Sequence, residues 1–135
     1  IWEADTGAEL LVLKEHYSAL DSIAFSPDGS RLCSASGEGS VKVWDVKSGK
    51  LEVTFYGSGD PVHRALFSPD GKNIIFSGDD KIIRICDLAS EAEIINLVGH
   101  TSPVWNIVLS PDGRKIVSGD LNGKIYIWDY PGELQ

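Results

Sequence analysis

Methionine is absent from the 135 residues, cysteine occurs twice and histidine three times, so little metal or thiol chemistry is available. Cys33 and Cys86 are too few for a disulfide framework, and they lie in apolar runs where a thiol behaves as an inert core residue. His16, His63 and His100 have no convergent ligands at short spacing, so neither a metal nor any other cofactor is expected. Cations are scarce as well. Twelve Lys and Arg against twenty Asp and Glu give a net charge of −8, which repels a phosphate backbone at long range and makes direct nucleic-acid binding unexpected. No apolar run is long enough to span a bilayer and none resembles a signal peptide. The expectation is an intracellular chain, cytoplasmic or nuclear, with no membrane partner. Helical periodicity is missing throughout.

What the chain does have is a repeat. Ser-Pro-Asp-Gly occurs at Ser26, Ser68 and Ser110, in steps of 42 residues, and aromatic-acidic pairs keep the same step at Trp2-Glu3, Trp44-Asp45 and Trp128-Asp129, with Cys86-Asp87 in the third place of four. Each unit reads as four short strands. In the third unit three of them are Val104 to Leu109, Lys115 to Gly119 and Lys124 to Trp128; the fourth kind is seen at Glu9 to Leu13, Leu51 to Phe55 and Glu93 to Leu97. Matched apolar positions predict a core between neighbouring sheets: Leu20, Val62 and Val104; Ile23, Ala65 and Ile107; Phe25, Phe67 and Leu109; Leu32, Ile74 and Ile116; Val43, Ile85 and Ile127. Ser-Pro-Asp-Gly is turn chemistry, because Pro presets φ and Gly tolerates a positive φ. A period of about 40 residues made of strands points to propeller blades, units that bury their faces only by stacking.

These motifs resemble the WD-repeat β-propellers, whose units carry a Gly-His pair, a Ser or Thr, an Asp in a tight turn and a terminal Trp-Asp. The resemblance implies an all-β fold of four-stranded antiparallel blades, here a partial ring of about three. The units are residues 14–55, 56–97 and 98–135, with residues 1–13 as the end of a preceding unit. It also implies a buried tetrad: His16, Ser34, Glu38 and Trp44 in the first unit, and His100, Ser118, Asn122 and Trp128 in the third, with Asn122 in the aspartate place. In the second unit the matching positions are Ser58, Phe76, Asp80 and Cys86, and no tetrad is expected there.

Ser, His and an acid in one unit suggest a hydrolase, yet no oxyanion-hole loop or Gly-x-Ser-x-Gly elbow accompanies them, so the chain is expected not to be an enzyme. The resemblance implies instead a scaffold that binds protein or peptide ligands on one propeller face. Its candidate contact residues include Asp21, His63, Asp79, Trp105 and Leu121. His63, outside the tetrad, reads as a surface contact or a proton-sensitive group, although an exposed histidine is usually just solvated. Trp105 stands where alternation leaves the indole near the rim, either as a partner contact or as a cover for the neighbouring blade. Alternatives are a regulatory sensor domain of a larger protein and a ribonucleoprotein assembly factor. Propellers close with roughly four to eight blades. Three are therefore expected to find further blades, either in the remainder of a longer chain or in a homodimer closing a six-bladed ring.

Overall fold

A computed structural model describes residues 1–131. Eleven strands and no helix are found among them. Strands β1 (Leu20–Phe25), β2 (Arg31–Ser36), β3 (Ser40–Asp45) and β4 (Leu51–Tyr56) form one antiparallel sheet, and β5 (Val62–Phe67), β6 (Asn73–Gly78), β7 (Ile82–Asp87) and β8 (Ala92–Val98) a second. Strands β9 (Val104–Leu109), β10 (Lys115–Asp120) and β11 (Ile125–Asp129) make a three-stranded third. Neighbours in sequence are neighbours in each sheet, so every blade is a meander. Residues 132–135, the end of the third unit, lie outside the described residues.

The Ser-Pro-Asp-Gly turns join the first two strands of each blade. In the first, the Gly29 N–H donates to the Ser26 carbonyl at 2.9 Å and the Arg31 N–H to Ser26 Oγ at 2.9 Å. Gly29, Gly71 and Gly113 sit at φ of +73°, +72° and +71°, a region that a side chain would strain. Asp28 accepts from the Ser30 N–H and from the hydroxyls of Ser26 and Ser30, and these bonds hold its carboxyl down at about 2. The repeated tetrapeptide is a folding element.

Two apolar seams hold the blades together. Val41, Val43 and Phe55 of the first blade meet Val62, Ala65, Phe67 and Ile74 of the second; Ile83 and Ile85 of the second meet Val104, Ile107 and Ile116 of the third. Each fully buried Val or Ile contributes about 1.5–3 kcal/mol. Tyr130, past the last strand, is drawn into the second seam, where its hydroxyl accepts from Asn73 Nδ2 at 3.0 Å.

Not every position expected in the core is buried. Leu20, Ile23 and Phe25 are 53%, 61% and 59% exposed, and Ile127 is 70% exposed, although their counterparts in the middle blade are covered. The reason is the ends of the arc. The first three point away from blade two, and Ile127 with Ile125 points away from it on the far side, so no sheet lies against them. Residues 1–13 do not form the expected strand at Glu9 to Leu13. An isolated bridge joins Trp2 and Glu9, and the Leu10 N–H donates to the Ile1 carbonyl at 2.8 Å.

Candidate functional site

In the first blade, β2 and β3 carry a serine and a tryptophan to one face, and the segment before β1 lays a histidine over them. Trp44 Nε1 donates to Ser34 Oγ at 2.9 Å, Ser34 Oγ lies 2.7 Å from His16 Nε2, and His16 Nδ1 lies 2.8 Å from Glu38 Oε1. The indole N–H donates to the hydroxyl, and the imidazole bridges that hydroxyl and the carboxylate through its two nitrogens. Burial alone would raise the Glu38 pKa, but hydrogen bonds from Ser40, the Tyr17 N–H and His16 outweigh it and bring it below the usual carboxylate range.

The third blade repeats the relay with one difference from the sequence expectation. Trp128 Nε1 donates to Ser118 Oγ at 2.8 Å and Ser118 Oγ lies 2.7 Å from His100 Nε2, but the acid at Nδ1 is Asp120, at 2.8 Å. Asn122, expected in that place, contributes only its N–H, which Asp120 Oδ1 accepts at 3.0 Å together with the Lys124 N–H. Strand alternation explains the correction. Ser118 and Asp120 are two residues apart on β10 and share a face, whereas Asn122 stands out in the turn, exposed. In the first blade the acid does come from the turn, where Glu38 reaches back to His16. The bond from His100 is the main cause that lowers the Asp120 pKa, working against burial.

These atoms resemble a hydrolase triad in kind but not in access. Ser34 and Ser118 are 3% and 1% exposed, and each oxygen already receives an indole N–H where a substrate carbonyl would have to approach.

The second blade is built otherwise. Phe76 fills the serine position in the first seam, and Asp80 is not left alone: besides accepting the Ile82 N–H at 3.2 Å it pairs with Arg84, which also meets Glu93 at 3.0 Å and lies over the Phe76 ring at 6.0 Å. Sequence reasoning missed Arg84, though a lone cation inside the run Ile82 to Cys86 is a signal that its charge needs a partner. Ser58 stays in its loop, donating to Asp60 at 2.8 Å. Burial pushes both thiols, Cys33 and Cys86, up to about 12, which keeps them unreactive.

At the rim, four of the five candidate contact residues converge. His63 Nδ1 lies 2.8 Å from Asp21 Oδ2 of the first blade, and Nε2 lies 2.6 Å from Asp79 Oδ1 in the turn after β6. The indole of Trp105 from the third blade covers the imidazole with centroids 4.0 Å apart. His63 is thus buried, not solvated as its sequence suggested, while Trp105 keeps 53% of its surface open. Gly78 makes the close approach possible: a Cβ there would stand 2.0 Å from the Pro61 carbonyl, which instead receives the Asp79 N–H at 3.0 Å. A crevice of about 290 Å³ opens beside the cluster, lined by Asp21, His63, Arg64, Trp105 and Asn106. Leu121 is not in its lining. It lies at the equivalent turn of the third blade, 58% exposed, with its N–H on the Pro103 carbonyl at 3.1 Å.

The family model described as WD domain, G-beta repeat matches residues 7–45, 49–87 and 92–129. The chain belongs to the WD-repeat family. Among relatives, it is 40% identical over 55 residues to Periodic tryptophan protein 2 of Saccharomyces cerevisiae, a match covering 41% of this chain and 6% of that protein. It is 41% identical over 51 residues to mouse Coronin-7, covering 38% of this chain and 6% of that one. A solved structure titled "Structure of U3-55K" superposes with a TM-score of 0.83 at 22% identity, over 88% of this chain and 38% of that one, as does the crystal structure of the RRP9 WD40 repeats. These likenesses show the propeller fold. The chain spans only about 6% of the two named relatives, so what they share with it is the WD repeat. The match includes the second repeat, where Phe76 and Cys86 replace the relay; strand pattern and turns are enough for a WD blade when the seam is well filled.

Proposed function

We propose that this WD-repeat segment is a non-catalytic docking module for protein or peptide ligands, with its contact surface at the rim formed by Asp21, His63, Asp79 and Trp105. The observation that carries the reading is the setting of Trp105. Its indole is more than half exposed yet braced on a buried, doubly bonded histidine, so it is presented at small entropic cost to a partner. Rigid exposed aromatics of this kind dominate interface energetics. The carboxylates at the rim and the net charge of −8 favour basic or neutral ligands. Two free buried thiols fit an intracellular setting, cytoplasmic or nuclear. Among the described residues no helix is long and apolar enough to cross a membrane.

Trp105→Ala is expected to weaken capture of bound partners by about 30-fold, as loss of a hot-spot side chain costs about 2 kcal/mol or more. Lys72→Glu, in the turn region of the opposite rim, is expected to leave capture intact. Thermal melting first establishes that each variant folds. Full binding by Trp105→Ala together with loss in Lys72→Glu would place the contact surface on the other rim.

The bare faces at Leu20, Ile23 and Phe25 and at Ile125 and Ile127 are those of blades awaiting blades. Isolated in solution, the chain is expected to form a dimer or larger closed species, read as molar mass by light scattering. A soluble, well-folded monomer would count against closure.

A further inference from the structure

His63 is set apart from the other two histidines by what its nitrogens face. His16 and His100 each place one nitrogen against a carboxylate and the other against a serine hydroxyl, which donates or accepts as required. His63 places both against carboxylates, at 2.8 Å and 2.6 Å. An ionised carboxylate only accepts, so both bonds exist together only when the ring carries two protons; a neutral ring would turn a bare lone pair toward one of the two oxygens. The two acids come from different blades, and the stacked indole comes from the third.

We infer that His63 is a proton-operated clasp at the rim: as imidazolium it ties blade one through Asp21, blade two through Asp79 and blade three through Trp105, and on losing a proton it releases one carboxylate and loosens the indole. The groups facing it from the surrounding elements are Asp21 on β1, Asp79 after β6, Arg64 beside it on β5, and the uncharged Trp105 and Asn106 on β9. The indole contact at 4.0 Å gains from a cation over its face and weakens when the ring is neutral. Burial pushes the His63 pKa down, but hydrogen bonds and charge from Asp79 and Asp21 outweigh it and hold it above the ordinary histidine value. Because the folded value is the raised one, the clasp's stabilisation is complete below the unfolded pKa of about 6.5 and is lost as pH rises through the folded pKa. The consequence for the docking reading is that the seating of Trp105 depends on pH, yet the clasp itself needs no partner to be measured.

The test follows the imidazole nitrogens and the indole N–H signals of the whole chain by NMR from pH 5.5 to 9, with His63→Gln used to assign the histidine. His63 is expected to carry protons on both nitrogens at pH 6, to titrate with a midpoint above 6.5, and to move the Trp105 indole signal with the same midpoint. The wild-type melting temperature should fall across that interval relative to His63→Gln, and Asp79→Asn should shift the midpoint down by removing one charge. A neutral His63 ring at pH 6, or an indole signal that ignores the His63 titration, would overturn the clasp. Either result leaves the binding comparison of Trp105→Ala with Lys72→Glu standing, so the two readings fail separately.

Discussion

Phe76→Ser is expected to bring the chain close to unfolding, although it restores the residue that stands at Ser34 and Ser118 in the other two blades. Phe76 is 1% exposed in the first seam, and truncating a buried Phe costs about 3–5 kcal/mol. The new hydroxyl would find neither of the partners that make serine favourable in its sister blades, since no histidine precedes β5 at the matching place and Cys86 stands where the indole would be. An unsatisfied buried hydroxyl adds about 1–3 kcal/mol. Against a typical total of about 5–15 kcal/mol, such a loss is severe. Urea denaturation of the two proteins measures it. A midpoint equal to or above wild type would show that the second blade does not rely on its apolar filling.

His100→Ala is expected to lower stability by about 1–3 kcal/mol, because the imidazole is fully buried and its removal leaves both Ser118 Oγ and Asp120 short of a partner. Asp120→Ala should melt early as well, losing the acceptor for His100 and for the N–H groups of Asn122 and Lys124. Asn122→Ala should stay within about 0.5 kcal/mol of wild type, since its contribution is a backbone N–H that alanine keeps. Ser58→Ala belongs with it. Thermal melts of the four variants give the comparison, and a shift in Asn122→Ala equal to that in His100→Ala would return the acid's place in the relay to position 122.

Much of this architecture was legible in residue order because turns and strand alternation are local. Ser-Pro-Asp-Gly selects its turn through contacts within five residues, and apolar residues in register across copies name the seam positions. The relay histidines, serines and tryptophans followed from the resemblance to the WD repeat, carried along the 42-residue step. The step misled at Asn122, because hydrogen bonding follows the face a side chain occupies and the length it can span. Asp120, two residues earlier on the same face as Ser118, was the better-placed acid. Arg84 went unread although Asp80 is only four residues before it; its other partner, Glu93, is brought to it across the β7–β8 hairpin.

The sequence by itself determined the repeat, the all-β blades, the turns and many of the apolar positions that fill the seams, since these depend on a period and on near neighbours. Only the tertiary structure decided which copies of a repeated position are buried. Leu20 and Val62 occupy the same place in their blades, but one faces open space and the other a neighbouring sheet. It also decided the surroundings of His63. Asp21 lies 42 residues before it and Trp105 42 residues after it, and side chains so far apart share one cluster only because three blades pack face to face. The charge that two carboxylates impose on one ring is a property of that packing, which no local pattern around residue 63 contains.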